Sequence, residues 1–182
     1  LDMQRAFDIL DGVLAGLTAM HAVGLAHLDL KPSNVVIRTD QTPVLVDFGL
    51  AGRRIRPGCG TILYAGPDVW LDGSTTPAWA ADLYAFACVA FELVAGVELL
   101  TGNSEHAVIA EHLKHDGDPP RLGLLRPGPD GGQLAELLAS CLRRDWAERP
   151  TAAAARQRLT PLRVHWVRRD WPHVDRDRLS DA

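Results

Sequence analysis

The sequence predicts a mainly α-helical (α+β) domain in which the helices form most of the core and the strands form one small hairpin. An apolar stripe with helical periodicity over residues 3–22 and a stretch over residues 79–94 that is apolar on nearly all faces predict helices at the start and in the middle of the domain. Two short β-branched runs, Val35–Ile37 and Val44–Val46, predict the hairpin. The chain has 182 residues, of which 47% are hydrophobic, so it is long enough for one domain with a substantial core.

The first predicted helix presents one apolar face. Its stripe recurs at spacings of three and four: Phe7, Leu10, Leu14, Leu17 and His21. Gly24 is a plausible end for this helix, because glycine commonly follows the last helical turn. The helix therefore supports the polar loop that follows it, residues 25–34.

The loop and the hairpin together predict a phosphoryl-transfer site. Asp29, Lys31 and Asn34 place a base, a cation and an oxygen ligand on one loop, which suits phosphoryl transfer to a hydroxyl. The residues that flank an antiparallel pair at its open end lie about 5 Å apart, and here they are Asn34 and Asp47. Two side-chain oxygens at that end predict a Mg²⁺ ion held on the phosphates of a nucleotide.

The next two elements are a loop and a buried helix. Glycine, proline and arginine crowd residues 50–64, which fit neither helical nor strand periodicity and are predicted to be a loop. Trp79–Val94 is apolar on nearly all faces, which predicts a central buried helix. Asp82, near its start, is either a solvated first-turn acid favoured by the helix dipole or a buried acceptor, and its core-like neighbours favour burial.

The C-terminal part of the chain predicts three further helices. They cover about residues 105–115, 134–144 and 152–159, the last capped by Thr151, and a loop rich in glycine and proline spans residues 117–132. Residues 166–182 are predicted to form either a last helix or a linker. The expected division is a domain over residues 1–165 and a tail over residues 166–182.

Composition restricts the partners and the compartment. A net charge of −4 gives no reason to expect a nucleic-acid partner or a membrane surface. The three cysteines lack metal-type spacing and fit a reducing cytoplasm, with Cys88 and Cys141 as packing residues. The longest apolar run, Leu83–Phe91, is about half of what spans a bilayer, so no membrane segment is expected within this chain, although a longer parent protein with an anchor elsewhere is compatible with it.

Several motifs, in the right order, resemble eukaryotic-type (Hanks-type) serine/threonine protein kinases. His27–Asn34 resembles their catalytic loop, and Asp47–Gly49 resembles their metal-binding motif. The stretch Gly60–Asp68 resembles the end of their activation segment, with Gly66–Asp68 in place of Ala-Pro-Glu. The resemblance covers nearly the whole chain and implies the large helical C-terminal lobe of the kinase fold.

The resemblance implies a role for each candidate site residue. Asp29 accepts or orients the proton of the attacking hydroxyl, and Lys31 neutralises charge on the transferred group. Thr61 hydrogen-bonds toward both. Asn34 and Asp47 hold Mg²⁺ on ATP, so ATP and Mg²⁺ are the expected cofactors. A lysine two residues after the aspartate is typical of kinases directed at serine and threonine, so the expected partner is a protein with such a hydroxyl.

The same resemblance implies supporting roles for a second group of residues. His27 packs and bonds to the backbone, and Phe48 and Gly49 complete the metal-binding motif. Asp82 anchors the backbone of the catalytic loop. Asp68 pairs with Arg149 across the sequence, although its side chain is shorter than the usual glutamate; the alternative is two unrelated surface charges.

Two features depart from the family pattern. Leu28 stands where an arginine usually precedes the catalytic aspartate and binds a phosphate on the activation segment. The sequence has no serine or threonine between Asp47 and Gly60. We therefore predict a non-RD kinase whose activity does not depend on phosphorylation of this segment.

The second departure is the small lobe. The chain holds no glycine-rich loop, no strand lysine and no helix glutamate to pair with it, so we expect that half of the nucleotide cleft comes from outside it and that the isolated chain transfers little phosphate. Two alternatives stay open: a pseudokinase-like binding scaffold and a small-molecule kinase of the aminoglycoside phosphotransferase type. Lys31, Phe48–Gly49 and the 60–68 platform favour protein substrates over the latter.

Overall fold

The computed structural model describes residues 2–71, 75–126 and 131–166. Within those residues the chain forms six α-helices and one two-stranded antiparallel sheet, which confirms the predicted fold class. In chain order the elements are α1 (Met3–Ala22), β1 (Val35–Ile37), β2 (Pro43–Leu45), α2 (Pro67–Trp70), α3 (Ala78–Ala95), α4 (Glu105–Lys114), α5 (Gly131–Cys141) and α6 (Ala152–Trp166).

Helix α3 is the centre of the core. Fifteen of its eighteen residues are buried, among them Leu83, Phe86 and Phe91. Among the described helices only α3 has the length and apolar composition of a membrane span, and its burial by the surrounding helices accounts for that composition. The helix ends at Gly96, which adopts the left-handed conformation (φ 75°) that favours glycine at this position.

Helix α1 lies where the apolar stripe predicts it. Asp2 caps its first turn by accepting a hydrogen bond from the Arg5 N–H at 2.7 Å. The apolar face packs against α6 and β2. Gly12 permits the contact with β2, because a Cβ atom there would lie 2.2 Å from the Pro43 ring.

The hairpin has the predicted antiparallel pairing, but its second strand is shifted by one residue. Val35 pairs with Leu45 and Ile37 with Pro43, so β2 covers residues 43–45 instead of 44–46. Proline fits here because an edge strand need not donate at every residue. The Val46 N–H still donates to the Asn34 carbonyl at 3.0 Å, which keeps the two chains together beyond the paired residues.

The later helices differ from the predicted bounds. Helix α5 begins at Gly131, three residues earlier than predicted, and ends at Cys141. Helix α6 continues to Trp166, well past the predicted end at Leu159 and through Pro161, because Leu159 and Leu162 are buried on the same face. Thr151 caps α6 by accepting from the Ala154 N–H at 3.2 Å. The predicted tail, apart from its first residue, lies outside the described residues.

Candidate active site

A buried carboxylate at the start of α3 holds the 25–34 loop. Asp82 is fully buried, at 0% exposure, and accepts the His27 N–H and the Leu28 N–H, each at 2.8 Å. The His21 Nε2 lies 2.8 Å from the same carboxylate and donates to it, because a carboxylate only accepts. A buried carboxylate with these three donors fixes the backbone of the loop to the central helix. Of the two predicted alternatives, Asp82 is therefore the buried acceptor and not the solvated first-turn acid.

The loop backbone is strained where it meets Asp82. Leu28 has φ 64°, a left-handed conformation that costs a non-glycine residue about 1 kcal/mol. The preceding side chain, His27, is buried; its Nδ1 accepts from the Asp29 N–H at 3.4 Å, and its Nε2 donates to the Val46 carbonyl at 3.0 Å. His27 therefore ties the loop to the end of the hairpin through backbone contacts.

Three predicted catalytic side chains form a closed triangle. Thr61 Oγ1 donates to Asp29 Oδ1 at 2.7 Å, Lys31 Nζ lies 2.7 Å from Asp29 Oδ2, and Lys31 Nζ donates to Thr61 Oγ1 at 3.1 Å. Asn34 Nδ2 adds a bond to the Asp29 carbonyl at 2.8 Å. The folded chain thus brings together residues that are up to 32 positions apart in sequence.

The surroundings of Asp29 keep its carboxyl ionised. Partial burial raises the pKa of Asp29, but the hydrogen bonds from Lys31, Thr61 and Asn34 and the charge of Lys31 outweigh that effect, so the pKa lies below its ordinary value. The carboxylate is therefore available at neutral pH to accept or orient a hydroxyl proton.

The predicted metal pair sits at the open end of the hairpin. The bond from Val46 to Asn34 brings Asp47, the next residue, beside the loop. Asp47 adopts φ 61°, and its Oδ1 accepts from the Gly49 N–H at 3.3 Å. Asn34 uses its Nδ2 as a donor, and in the described part of the chain no hydrogen bond occupies its Oδ1.

The donor chemistry of this pair fits Mg²⁺ shared with phosphate. Asn34 and Asp47 offer amide and carboxylate oxygens, the hard ligands that Mg²⁺ prefers. Across residues 2–71, 75–126 and 131–166, no group of three His, Cys, Asp or Glu side chains is arranged to hold a metal ion. Two protein oxygens suit an ion that takes its remaining ligands from a nucleotide and water.

The surface beside this pair is apolar. Phe48 is 54% exposed, and its ring centroid lies 5.5 Å from that of His27. With Val44 and Gly12 it lines an open cavity of about 390 Å³ between α1 and β2. Val36, on the other strand, is 46% exposed. The metal pair thus adjoins exposed apolar side chains, whereas the triangle around Asp29 is closed by polar contacts.

Comparison with known proteins decides the family. The protein kinase domain family matches residues 1–159. The chain belongs to the protein kinase family. This confirms the resemblance to Hanks-type kinases on which the site residues were assigned.

Three bacterial relatives are serine/threonine-protein kinases by name. The chain is 34% identical over 174 residues to PknD of Mycobacterium tuberculosis (88% of this chain, 26% of PknD). It is 34% identical over 154 residues to PknL of the same species (81% of this chain, 37% of PknL). It is 31% identical over 156 residues to drp72 of Corynebacterium efficiens (82% of this chain, 28% of drp72). The chain thus spans about a quarter to two fifths of these relatives.

The end of the kinase activation segment is fixed by a buried ion pair. Arg149 Nη1 lies 2.6 Å from Asp68 Oδ2, and both side chains are buried. The same nitrogen donates to the Ala80 carbonyl at 2.9 Å. The shorter aspartate therefore reaches Arg149, and the pair joins α2 to the segment before α6.

The glycine in the altered Gly66-Pro67-Asp68 motif has a steric cause. A Cβ atom on Gly66 would lie 2.6 Å from the Tyr84 ring, well inside contact distance. Tyr84 cannot easily withdraw, because it is fully buried and the Arg149 guanidinium carbon lies 5.3 Å from its ring centroid. Glycine at position 66 is thus the residue that this tyrosine permits.

The leucine in place of the usual arginine packs against the activation segment. Leu28, 9% exposed, belongs to a small apolar cluster with Ala26, Ala78 and Ala81, and Leu50 and Ile55 of the segment pack on that cluster. Gly52 exchanges two backbone hydrogen bonds with Ala26, at 2.9 and 3.0 Å. Apolar and backbone contacts therefore hold the segment at this position.

Sequence reasoning missed some polar partners inside the domain. Tyr64 donates its hydroxyl to Glu92 at 2.7 Å, and His21 contacts Asp82 as described above. His112 and His115, on and after α4, are both hydrogen-bonded to Tyr84. One signal was available: His21 is the single polar member of the α1 apolar stripe, a position at which a buried partner is expected.

Proposed function

We propose that the chain is the substrate-binding lobe of a protein kinase that transfers the γ-phosphoryl group of ATP to a serine or threonine hydroxyl of a protein. The observation that carries this proposal is the triangle of Asp29, Lys31 and Thr61. Asp29 and Lys31 present an ionised carboxylate and a cation on the anchored 25–34 loop, and Thr61 adds its hydroxyl from the 50–64 loop.

Each member of the triangle has a distinct chemical role. Asp29 orients the substrate hydroxyl and would accept its proton as that oxygen bonds to the γ-phosphorus of ATP, while the bond from that phosphorus to the bridging oxygen breaks and ADP leaves. Lys31 offsets the negative charge on the transferred group. Thr61 holds both side chains in place, so that the carboxylate and the ammonium keep their geometry as the substrate binds.

ATP and Mg²⁺ belong to the open side of the site. Asn34 and Asp47 would hold the ion, and the Lys31 ammonium would lie near the phosphates. Mg²⁺, when bound, would neutralise charge on the phosphate oxygens. The exposed Val36, Val44 and Phe48 support a further proposal, that a small lobe elsewhere in the parent protein covers this surface and completes the nucleotide cleft.

We further propose that this kinase works without phosphorylation of its activation segment. Leu28 cannot bind a phosphate, and its packing with Leu50 and Ile55 supplies contacts on the segment that an arginine and a phosphate would otherwise provide. We place the reaction in the cytoplasm, where free thiols such as those of Cys88 and Cys141 stay reduced.

The test is a phosphorylation assay on the full-length protein that carries this chain. With ATP, Mg²⁺ and a library of serine- and threonine-containing peptides, the wild type should transfer phosphate and Asp29→Asn should lower kcat by roughly 10²- to 10⁴-fold. Asp40→Asn, an exposed aspartate on the hairpin turn, is the matched control and should leave kcat unchanged. Binding of ATP without any transfer by the wild type would favour the pseudokinase-like scaffold and overturn the proposal.

A further inference from the structure

Three buried or half-buried rings beneath the activation segment are hydrogen-bonded in series. The Tyr84 hydroxyl lies 2.9 Å from His112 Nδ1 and 3.1 Å from His115 Nε2. His112 Nε2 lies 2.8 Å from the Ile62 carbonyl oxygen. The series begins at the Gly117 N–H, which donates to His115 Nδ1 at 3.2 Å.

The two backbone ends determine the direction of every bond in this series. Because the Gly117 N–H donates to His115 Nδ1, the neutral His115 ring carries its hydrogen on Nε2 and donates it to the Tyr84 oxygen. Because a carbonyl only accepts, His112 Nε2 donates to Ile62, and its Nδ1 accepts from the Tyr84 hydroxyl. Each donor and each acceptor is used once, with no conflict.

Burial supports this neutral arrangement. Tyr84 and His112 are both fully buried, at 0% exposure. Desolvation lowers the pKa of His112 to about 4 and lowers the pKa of His115, and it raises the pKa of Tyr84 well above its ordinary value. All three rings are therefore uncharged at neutral pH, as the directed series requires.

The series ends next to the active site. Ile62 directly follows Thr61, which bonds to Asp29 and Lys31. The Thr61 carbonyl in turn accepts from the Tyr64 and Ala65 N–H groups, both at 2.9 Å. Fixing the Ile62 carbonyl therefore fixes a turn within the stretch Thr61–Gly66.

We propose that Tyr84, His112 and His115 form a relay that positions the stretch Thr61–Gly66 for the protein substrate, with His112 as the positioning residue. The inference rests on the proposed function, because the stretch begins at Thr61 beside Asp29 and Lys31, where that function places the substrate hydroxyl. Thr61 is separately held by Asp29 and Lys31. Loss of the relay therefore loosens mainly the residues after Thr61, which affects peptide binding more than chemistry.

The kinetic test compares variants of the full-length protein. His112→Met removes the donor to Ile62 at similar volume, Tyr84→Phe removes only the hydroxyl, and His112→Gln keeps a donor at the Nε2 position. We expect His112→Met and Tyr84→Phe, each of which removes two hydrogen bonds of the series, to raise the KM for peptide roughly three- to tenfold, with kcat and the KM for ATP within twofold of wild type. His112→Gln should restore the KM for peptide. His106→Met, at an exposed position of the same helix, is the control.

A second measurement is independent of catalysis. Amide hydrogen exchange at Tyr64 and Ala65 should accelerate in His112→Met and Tyr84→Phe, whereas exchange in α1 and at the centre of α3 should stay unchanged. Unchanged exchange at these two amides, or a KM for peptide equal to wild type in both variants, overturns the relay. If the wild type phosphorylates no peptide, the proposed function fails, and the exchange measurement still decides whether the relay positions this stretch.

Discussion

The two sides of the candidate active site are built differently. On the substrate side, Asp29, Lys31 and Thr61 are joined in a closed triangle by three contacts of 2.7 to 3.1 Å. On the nucleotide side, the Asp47 carboxylate accepts from Gly49 in its own turn and from no other residue of the described part of the chain, and Phe48 and Val36 beside it are exposed. The substrate side is assembled by this chain alone, whereas the nucleotide side presents ligands and an apolar surface.

This difference separates a preorganised side of the candidate site from an open side. On the substrate side, Asp82 holds the 25–34 loop to α3, and the ion pair of Asp68 with Arg149 holds α2 to the segment before α6. The nucleotide side depends on the short hairpin and on the left-handed turn at Asp47. Under the proposed function, preorganisation is therefore concentrated on the side that orients the substrate hydroxyl. The predictions below test that division.

The largest effect is expected from the anchor beneath the substrate side. Asp82→Ala leaves the His27 and Leu28 N–H groups buried without an acceptor, so the free energy of unfolding should fall by about 3 kcal/mol or more. Urea denaturation of the protein measures this change. Asp40→Asn, at an exposed aspartate whose Oδ1 accepts from the Thr42 N–H, keeps that acceptor and should leave the unfolding midpoint in place. An Asp82→Ala midpoint equal to wild type would mean that the loop does not need its anchor.

The apolar cluster around Leu28 should show the next largest effect. Leu28→Arg places a guanidinium among Leu50 and Ile55, and we expect the free energy of unfolding to fall by about 2 kcal/mol. Leu28→Met should change the free energy of unfolding by less than half as much.

Phosphatase treatment of the wild-type kinase should leave its activity unchanged, as checked by peptide phosphorylation before and after treatment. A loss of activity would show that a phosphate holds the segment.

A smaller effect is expected at the corner of the triangle. Thr61→Val keeps the shape of the side chain but removes the hydroxyl that donates to Asp29, so kcat should fall about tenfold. Thr61→Ser keeps the hydroxyl and should retain most of the activity. The KM for ATP should be the same in both variants, since Thr61 belongs to the substrate side. Steady-state kinetics with varied ATP measure this constant, and a changed KM for ATP would show that Thr61 contributes to the nucleotide side instead.

The smallest effect is a shift of the pH profile. The pKa of Asp29 is held below its ordinary value, so the ionised form, and activity with it, is lost only as pH falls through that lowered pKa. Removing the cation in Lys31→Met should raise the pKa of Asp29 and move the acidic limb of the kcat profile to higher pH. The measured quantity is the pH at the midpoint of the acidic limb, and not the size of kcat. If that midpoint does not move, the limb reports the titration of a group other than Asp29.

Much of the fold was predictable from periodicity, since α1 and α3 lie where their apolar patterns indicate. The bounds of α5 and α6 were not, because Gly131 and Pro161 are poor helix residues in isolation and are held by burial of neighbours such as Leu134 and Leu162. In α5 and α6, the low helix propensity of glycine and proline is thus outweighed by side-chain packing that forms only in the folded chain.

The candidate site shows the same limit. Asp29, Lys31 and Asn34 stand close together in the sequence, so their motif was visible. The contacts between His112 and Ile62 join α4 to the activation segment over 50 positions, and neither residue belongs to a recognisable pattern. The Tyr84 ring explains a glycine 18 positions away only once its distance to Gly66 is known.

That contact constrains which residues positions 66 and 84 can hold together. An alanine at position 66 is sterically incompatible with the tyrosine ring in its present place, whereas glycine leaves room for that ring. A substitution that adds a Cβ atom at position 66 therefore requires a smaller or displaced side chain at position 84, so the two positions are sterically coupled. The coupling is local to Gly66, since Asp68 in the same Gly66-Pro67-Asp68 motif keeps its partner Arg149 at 2.6 Å.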